Sequence, residues 1–250
     1  MITIDSVNIL DNKRQLTSPK TSDAFCLDIN LNKFKVDNDI YFELNINPIE
    51  GENIPPIDII CVIDISGSMD SPAYIQQNGR TQIDVGFTIL DITKHALLTI
   101  IESMNIDDRI SIITFSNDAE ILTPLVNITN INKSYIKTLV SNLKTKGSTN
   151  MWAGLNLALQ EINEDSNSVK NIMFLTDGIP TYHLLPPRGL INTLQRKIDR
   201  IKERNLVVPN IYTYGFGDSL DTDVLVNISK IGNGNFSYIP DSGFVGTIFM

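Results

Sequence analysis

From about residue 56 onward, short apolar runs alternate with longer stretches whose apolar positions recur every three to four residues. IDIICVID is an unbroken, largely β-branched run, the pattern of a strand buried on both faces. In IDVGFTILDITKHALLTIIESM, Phe87, Leu90, Ile92, Ala96, Leu97, Ile100 and Ile101 fall at helical spacing, which predicts one helix across the stretch. DRISIITFS then predicts a strand, AEILTPL a shorter strand at a sheet edge, and SYIKTLVSNL and NMWAGLNLALQEI two helices. KNIMFLTD reads as a buried strand, GLINTLQRKIDRIKER as an amphipathic helix, and LVVPNIYTYGFG as a strand whose first half Pro209 limits. LDTDVLVNISKI predicts a helix and NFSYI a last strand. Strands alternating with helices imply βαβ units. The expected fold class is α/β: a doubly wound, mostly parallel central sheet with helices on both faces.

The first 55 residues differ. In FKVDNDIYFELNINPI, Phe34, Val36, Ile40, Phe42 and Leu44 largely keep one parity, which predicts strand structure with one buried face. GENIPPID, with its Gly and Pro-Pro, marks a break. The expected organisation is a β-rich segment over residues 1–55 and an α/β domain over 56–250. The last residues, SGFVGTIFM, form an apolar, helix-like run without a stop signal. This suggests a piece of a longer protein, with the N-terminal segment pairing with sequence beyond the last residue.

Charge narrows the partners. With 20 Lys and Arg against 29 Asp and Glu, the net charge is -9. Such a chain is a poor general binder of nucleic acid or of anionic membrane. Cys61 lies in an apolar run and reads as a small buried hydrophobe; two cysteines make no disulfide framework. The N-terminal residues lack a secretory pattern, and no run reaches the roughly 18 apolar residues of a membrane span. A soluble, cytoplasmic protein is expected.

Candidate chemistry sits where α/β sheets bind ligands, beyond the carboxyl ends of the strands. Three polar clusters follow predicted strands: DISGSMD, TDGIPT and GFGDS. DISGSMD lacks the G-x-S-x-G of a nucleophile elbow. A serine triad would need a histidine; His95 lies in a predicted helix and His183 in the loop after Asp177. An EF-hand also fails, because Met69 stands where Gly is needed and Ile75 where Glu is needed. A discontinuous site for a hard cation remains. Asp64, Ser66 and Ser68 offer one carboxylate and two hydroxyls, and Mg²⁺ or Mn²⁺ wants about six oxygens. Other loops must contribute, and KGSTNMWAGL and FLTDGIPT offer Thr149 and Asp177.

In this combination the chain resembles the von Willebrand factor type A (VWA) family with its metal-ion-dependent adhesion site (MIDAS). The family pattern is D-x-S-x-S in one loop, a Thr in a second and an Asp in a third. It maps onto Asp64, Ser66 and Ser68, then Thr149, then Asp177. DDRISIITFSNDA, IYTYGFGDSLD and GNGNFSYI extend the resemblance over about residues 56 to 240. It is closest to intracellular VWA proteins, some of which carry ubiquitin-ligase modules. The resemblance implies a non-enzymatic, metal-dependent protein-interaction module. Those five residues would hold Mg²⁺, Mn²⁺ or Ca²⁺, and an Asp or Glu of a protein partner would take the open position. Two alternatives stay open: a metal-free VWA scaffold in a ubiquitin-related assembly, and a metal-dependent hydrolase with His183 as base. For the rim around the cation, Tyr74, Arg80, Tyr182, His183 and Arg188 are candidate partner contacts. Trp152, beside the Thr loop, is expected to pack into the core.

Overall fold

A computed structural model of the chain describes residues 27–36, 39–48, 55–77, 81–162, 168–217, 220–240, 242–245 and 248. Two compact units divide at Ile54 and Pro55. The first contains an antiparallel pair, β1 (Leu27–Val36) and β2 (Asp39–Pro48), with Leu31 opposite Leu44 and Lys33 opposite Phe42. The buried face expected here is open at the residues that can be described: Leu31, Phe42 and Leu44 are more than half exposed. A two-stranded ribbon has no second layer to cover a face. The side chains of Phe34, Val36 and Ile40 lie outside the described residues.

The second unit is built on a six-stranded sheet. Its strands are β3 (Ile57–Asp64), β6 (Arg109–Phe115), β7 (Ala119–Asn127), β8 (Val169–Thr176), β9 (Asn210–Phe216) and β10 (Asn233–Ile239). The order across the sheet is β10-β9-β8-β3-β6-β7, parallel except for β7, which runs antiparallel to β6 at the edge. The chain leaves central β3 to one side, for β6 and β7, and returns on its other side at β8. That reversal at β3 opens a crevice at the carboxyl ends of β3 and β8.

Both faces of the sheet are covered. Along β3, Ile59, Cys61 and Ile63 face one core, with α1 (Ile89–Ser103) and α2 (Asn130–Ser141). Ile60 and Val62 face the other, with α3 (Met151–Glu161), α4 (Leu190–Glu203) and α5 (Thr222–Ile231). The period-two alternation of strand side chains thus explains why the run is apolar throughout. Gly154 lets α3 approach closely: a Cβ there would lie 2.9 Å from both Phe115 and Val62.

Two sequence expectations are corrected. The helix predicted from residue 83 starts at Ile89; residues 81–88 form β5 (Thr81–Thr88), paired antiparallel with β4 (Pro72–Gln77). Phe87 is accordingly more than half exposed. The start is set by a capping box: the Thr88 hydroxyl accepts from Asp91 N–H, and the Asp91 carboxylate accepts from Thr88 N–H. The same pairing makes the long loop expected over 70–82 a hairpin instead. β9 begins at Asn210, directly after Pro209, which cannot donate to the ladder.

Candidate metal centre

Asp64 is the last residue of β3 and is fully buried. Its Oδ1 accepts from Ser66 N–H at 2.8 Å, which folds the loop back over the strand end. Its Oδ2 accepts from the Thr176 hydroxyl at 2.5 Å, joining the ends of β3 and β8. Ser66 is buried, and its Oγ lies 3.1 Å from Ser68 Oγ. Ser68 in turn donates to Asp177 Oδ1 at 2.9 Å. These bonds, one of them from the Ser66 backbone N–H, link both carboxylates and both serines into one chain.

The Thr149 loop is held by backbone. Gly67 N–H donates to Gly147 O at 3.0 Å, and Lys146 N–H to Ile65 O at 2.6 Å. Thr149 N–H donates to Thr181 Oγ1, and Thr181 N–H donates back to Thr149 O, each at 3.0 Å. Asn117 supports the loop from the far side, accepting from Ser148 N–H at its side chain and from the Asn150 amide at its carbonyl. Gly178 closes the packing: a Cβ there would meet Thr149 Cγ2 at 3.2 Å and Asp64 Oδ2 at 3.5 Å.

The electrostatics are unbalanced. Burial pushes Asp64 up to about 6 against opposing hydrogen bonds from Thr176 and Ser66, and the charge of Asp177 adds to the rise. Burial also raises Asp177, against the bond from Ser68. Among the described residues no Lys or Arg pairs with either carboxylate. Two buried acids without a counter-charge form a site that favours a cation. The donors are all oxygen and mostly hydroxyl, a set that suits a hard divalent ion rather than a thiolate-seeking one. Among the described residues no group of three or more His, Cys, Asp or Glu is placed to hold a metal ion. Any cation here depends on the hydroxyls.

A cavity of about 640 Å³ opens above these loops. Ser66, Ser68, Thr149 and Asp177 line it, together with the apolar Ala73, Ile92, Phe216 and Ile239. Asp64 lies beneath it. Of the five donors named from the sequence, four therefore reach the cavity and the fifth braces them.

The expected rim is placed only in part. Tyr74 lines the cavity, and Tyr182 is almost fully exposed beside it in the turn Tyr182–Leu184. His183 is exposed and is not among the lining residues. Arg188 lines a different hollow, between α3 and α4. Arg80 lies outside the described residues. Trp152 is half-buried against the second core, as expected. Sequence reasoning passed over Thr176, Thr181, Asn117 and the exposed Ile179. A hydroxyl at a strand end directly before an acid was the available signal for Thr176.

Known proteins share the fold. The von Willebrand factor type A domain family matches residues 58–250. The uncharacterized protein YfbK of Escherichia coli is 28% identical over 193 residues, covering 76% of this chain and 29% of that protein. Inter-alpha-trypsin inhibitor heavy chain H3 of Homo sapiens is 30% identical over 197 residues, covering 74% of this chain and 19% of that one. The chain thus spans less than a third of either relative. Among solved structures, a von Willebrand factor type A protein from Catenulispora acidiphila superposes with a TM-score of 0.63 at 19% identity, covering 90% of this chain and 48% of the other. Proximal thread matrix protein 1 of the mussel byssus, in a form with a zinc-occupied MIDAS motif, gives 0.57 at 18% identity, covering 78% of this chain and 44% of that one. The sheet order, the helices on both faces and the match over residues 58–250 together place this chain in the von Willebrand factor type A domain family.

Proposed function

We propose that the domain holds a divalent cation, Mg²⁺ or Mn²⁺ with Ca²⁺ as a further candidate, through Asp64, Ser66, Ser68, Thr149 and Asp177, and uses it to capture a carboxylate of a protein partner. The observation that carries this reading is the buried Asp64 and Asp177 pair, without a basic counter-charge, inside a ring of hydroxyls. The zinc-occupied MIDAS of the mussel protein supports a metal at such a site in a domain of the same fold. A bound cation would supply a strong local charge for an incoming Asp or Glu.

The chain's own residues do the rest. Hydrogen bonds tie the three loops to one another, and donors held in place lower the ordering cost of binding. Two protein carboxylates balance the charge of a divalent cation without exceeding it, and the other donors are neutral hydroxyls. An external carboxylate would therefore meet no net negative charge on its way to the cation. The apolar wall of Ala73, Ile92, Phe216 and Ile239 suits a hydrophobic side chain next to that acid. Tyr74, Ile179 and Tyr182 offer exposed contacts at the rim. No chemical turnover is assigned.

The test is selection from a random peptide library with Mg²⁺ present. Peptides recovered with Mg²⁺ should carry an Asp or Glu beside an apolar residue and should bind more weakly once EDTA is added. Peptides without an acid, or equal binding with Mg²⁺ and with EDTA, would overturn the proposal. Hydrolysis of a selected peptide, lost in His183→Ala, would instead establish the hydrolase alternative.

A further inference from the structure

The polar face of α4 carries Thr193, Arg196, Lys197 and Arg200. Their i, i+3, i+4, i+7 spacing makes one stripe, on a helix whose Leu190, Leu194 and Ile198 are buried. With Trp152 of α3 and Arg188 they line a hollow of about 210 Å³. Four cations around one hollow depart from the balance of a chain with net charge -9. None of the four forms an ion pair among the described residues. Asp199, on the same helix, accepts from Gln195 instead. Like charges held together unpaired repel one another, and an anion in the hollow relieves that repulsion.

We propose that this basic groove is a second binding site, which receives an acidic segment of a protein partner. Guanidinium forks match carboxylates bidentately, and three of the four cations are Arg. The half-buried Trp152 supplies an apolar wall against which the segment packs. Both sides of the groove begin next to the metal loops in the chain. Trp152 is in the first turn of α3, three residues after Thr149, and Arg188 is in the loop that starts at Asp177. A partner anchored by one acid at the metal centre would carry its further acids into the groove. The choice of an acidic protein segment as occupant rests on the carboxylate-capture reading above; the charge and shape of the groove do not. Nucleic acid is disfavoured because the groove lining offers one aromatic, Trp152, rather than the succession of stacking faces that single strands use.

The test uses the full chain and a fluorescent oligoglutamate peptide, followed by anisotropy at low salt, with and without Mg²⁺. In EDTA the peptide should bind, and R196E/R200E should weaken it about tenfold or more. Arg196 and Arg200 are exposed, so the variant should keep the wild-type melting temperature. Asp64→Ala should remove the gain that Mg²⁺ adds. Equal affinity of wild type and R196E/R200E in EDTA would overturn the groove. Tighter binding of an equally charged oligothymidylate than of oligoglutamate would overturn its assignment to acidic protein. Absence of any Mg²⁺ gain, with the R196E/R200E loss intact, would count against the metal reading and still support the groove.

Discussion

Replacing Asp64 by Asn should make the domain more stable in EDTA and insensitive to Mg²⁺. The carboxylate is fully buried beside a second acid, and burial pushes it up to about 6 from an ordinary value of 3.8. Carrying its charge at neutral pH therefore costs on the order of 3 kcal/mol relative to the unfolded chain. The sign follows from the direction: an acid raised on folding makes the fold lose stability as pH climbs from about 4 to about 6. Asn has no charge to desolvate and keeps an oxygen for Ser66 N–H. It gives up the charge-assisted bond from the Thr176 hydroxyl, worth about 1–2 kcal/mol. The net expectation is a gain of about 1–2 kcal/mol in EDTA, a few degrees in melting temperature. With Mg²⁺ at a hundredfold excess over its Kd, wild type gains about 2.7 kcal/mol and the variant nothing. The order of stability should thus reverse between the two buffers, read by thermal melting followed by circular dichroism. An Asn variant less stable than wild type in EDTA would refute the burial argument. One that still responds to Mg²⁺ would refute Asp64 as part of the cation site.

Three further outcomes are expected. Thr149→Val removes the hydroxyl at nearly constant volume and should weaken Mg²⁺ binding about tenfold or more by calorimetry, while Thr149→Ser keeps it; equal affinity of the Val variant would remove Thr149 from the ligand set. Gly154→Ala places a methyl 2.9 Å from Phe115 and Val62; overpacking of about 1–3 kcal/mol should exceed the gain of up to about 1 kcal/mol in helix propensity, lowering the urea midpoint. At the opposite end of the sheet, burial of Asp58 is outweighed by hydrogen bonds from Arg109, Ser168 and Lys170, which hold it at about 2. Stability on the order of 2 kcal/mol should therefore be present above about pH 4 and be lost as pH falls toward 2. The stability difference between wild type and Asp58→Asn should shrink over that window, and a constant difference would contradict it.

Local pattern was enough for much of the scaffold. IDIICVID, KNIMFLT and RISIITF are continuous apolar runs because each strand is covered on both faces, and continuity is visible without knowing what covers it. The spacing of Leu190, Leu194 and Ile198 likewise shows the buried stripe of α4 directly. The start of α1 was also written locally, in Thr88 and Asp91, but a helical period that continues through Phe87 masked it. The hairpin of β4 and β5 depends on cross-strand pairing, which single-strand propensity does not report.

The candidate metal centre divides in the same way. The chemistry of the five donors belongs to their residue types, so the sequence alone named Asp64, Ser66, Ser68, Thr149 and Asp177. Only the fold decides that Ser68 meets Asp177 and that Thr176 meets Asp64, across more than a hundred residues. Only burial turns two ordinary carboxyls into an unbalanced pair. The basic groove follows the same logic: the cations of α4 are plain in the sequence, but the hollow they share with Trp152 exists only once α3 lies beside α4. Residue type and local period are properties of neighbours along the chain. Burial, charge balance and concavity are properties of neighbours in space, set by the whole sheet.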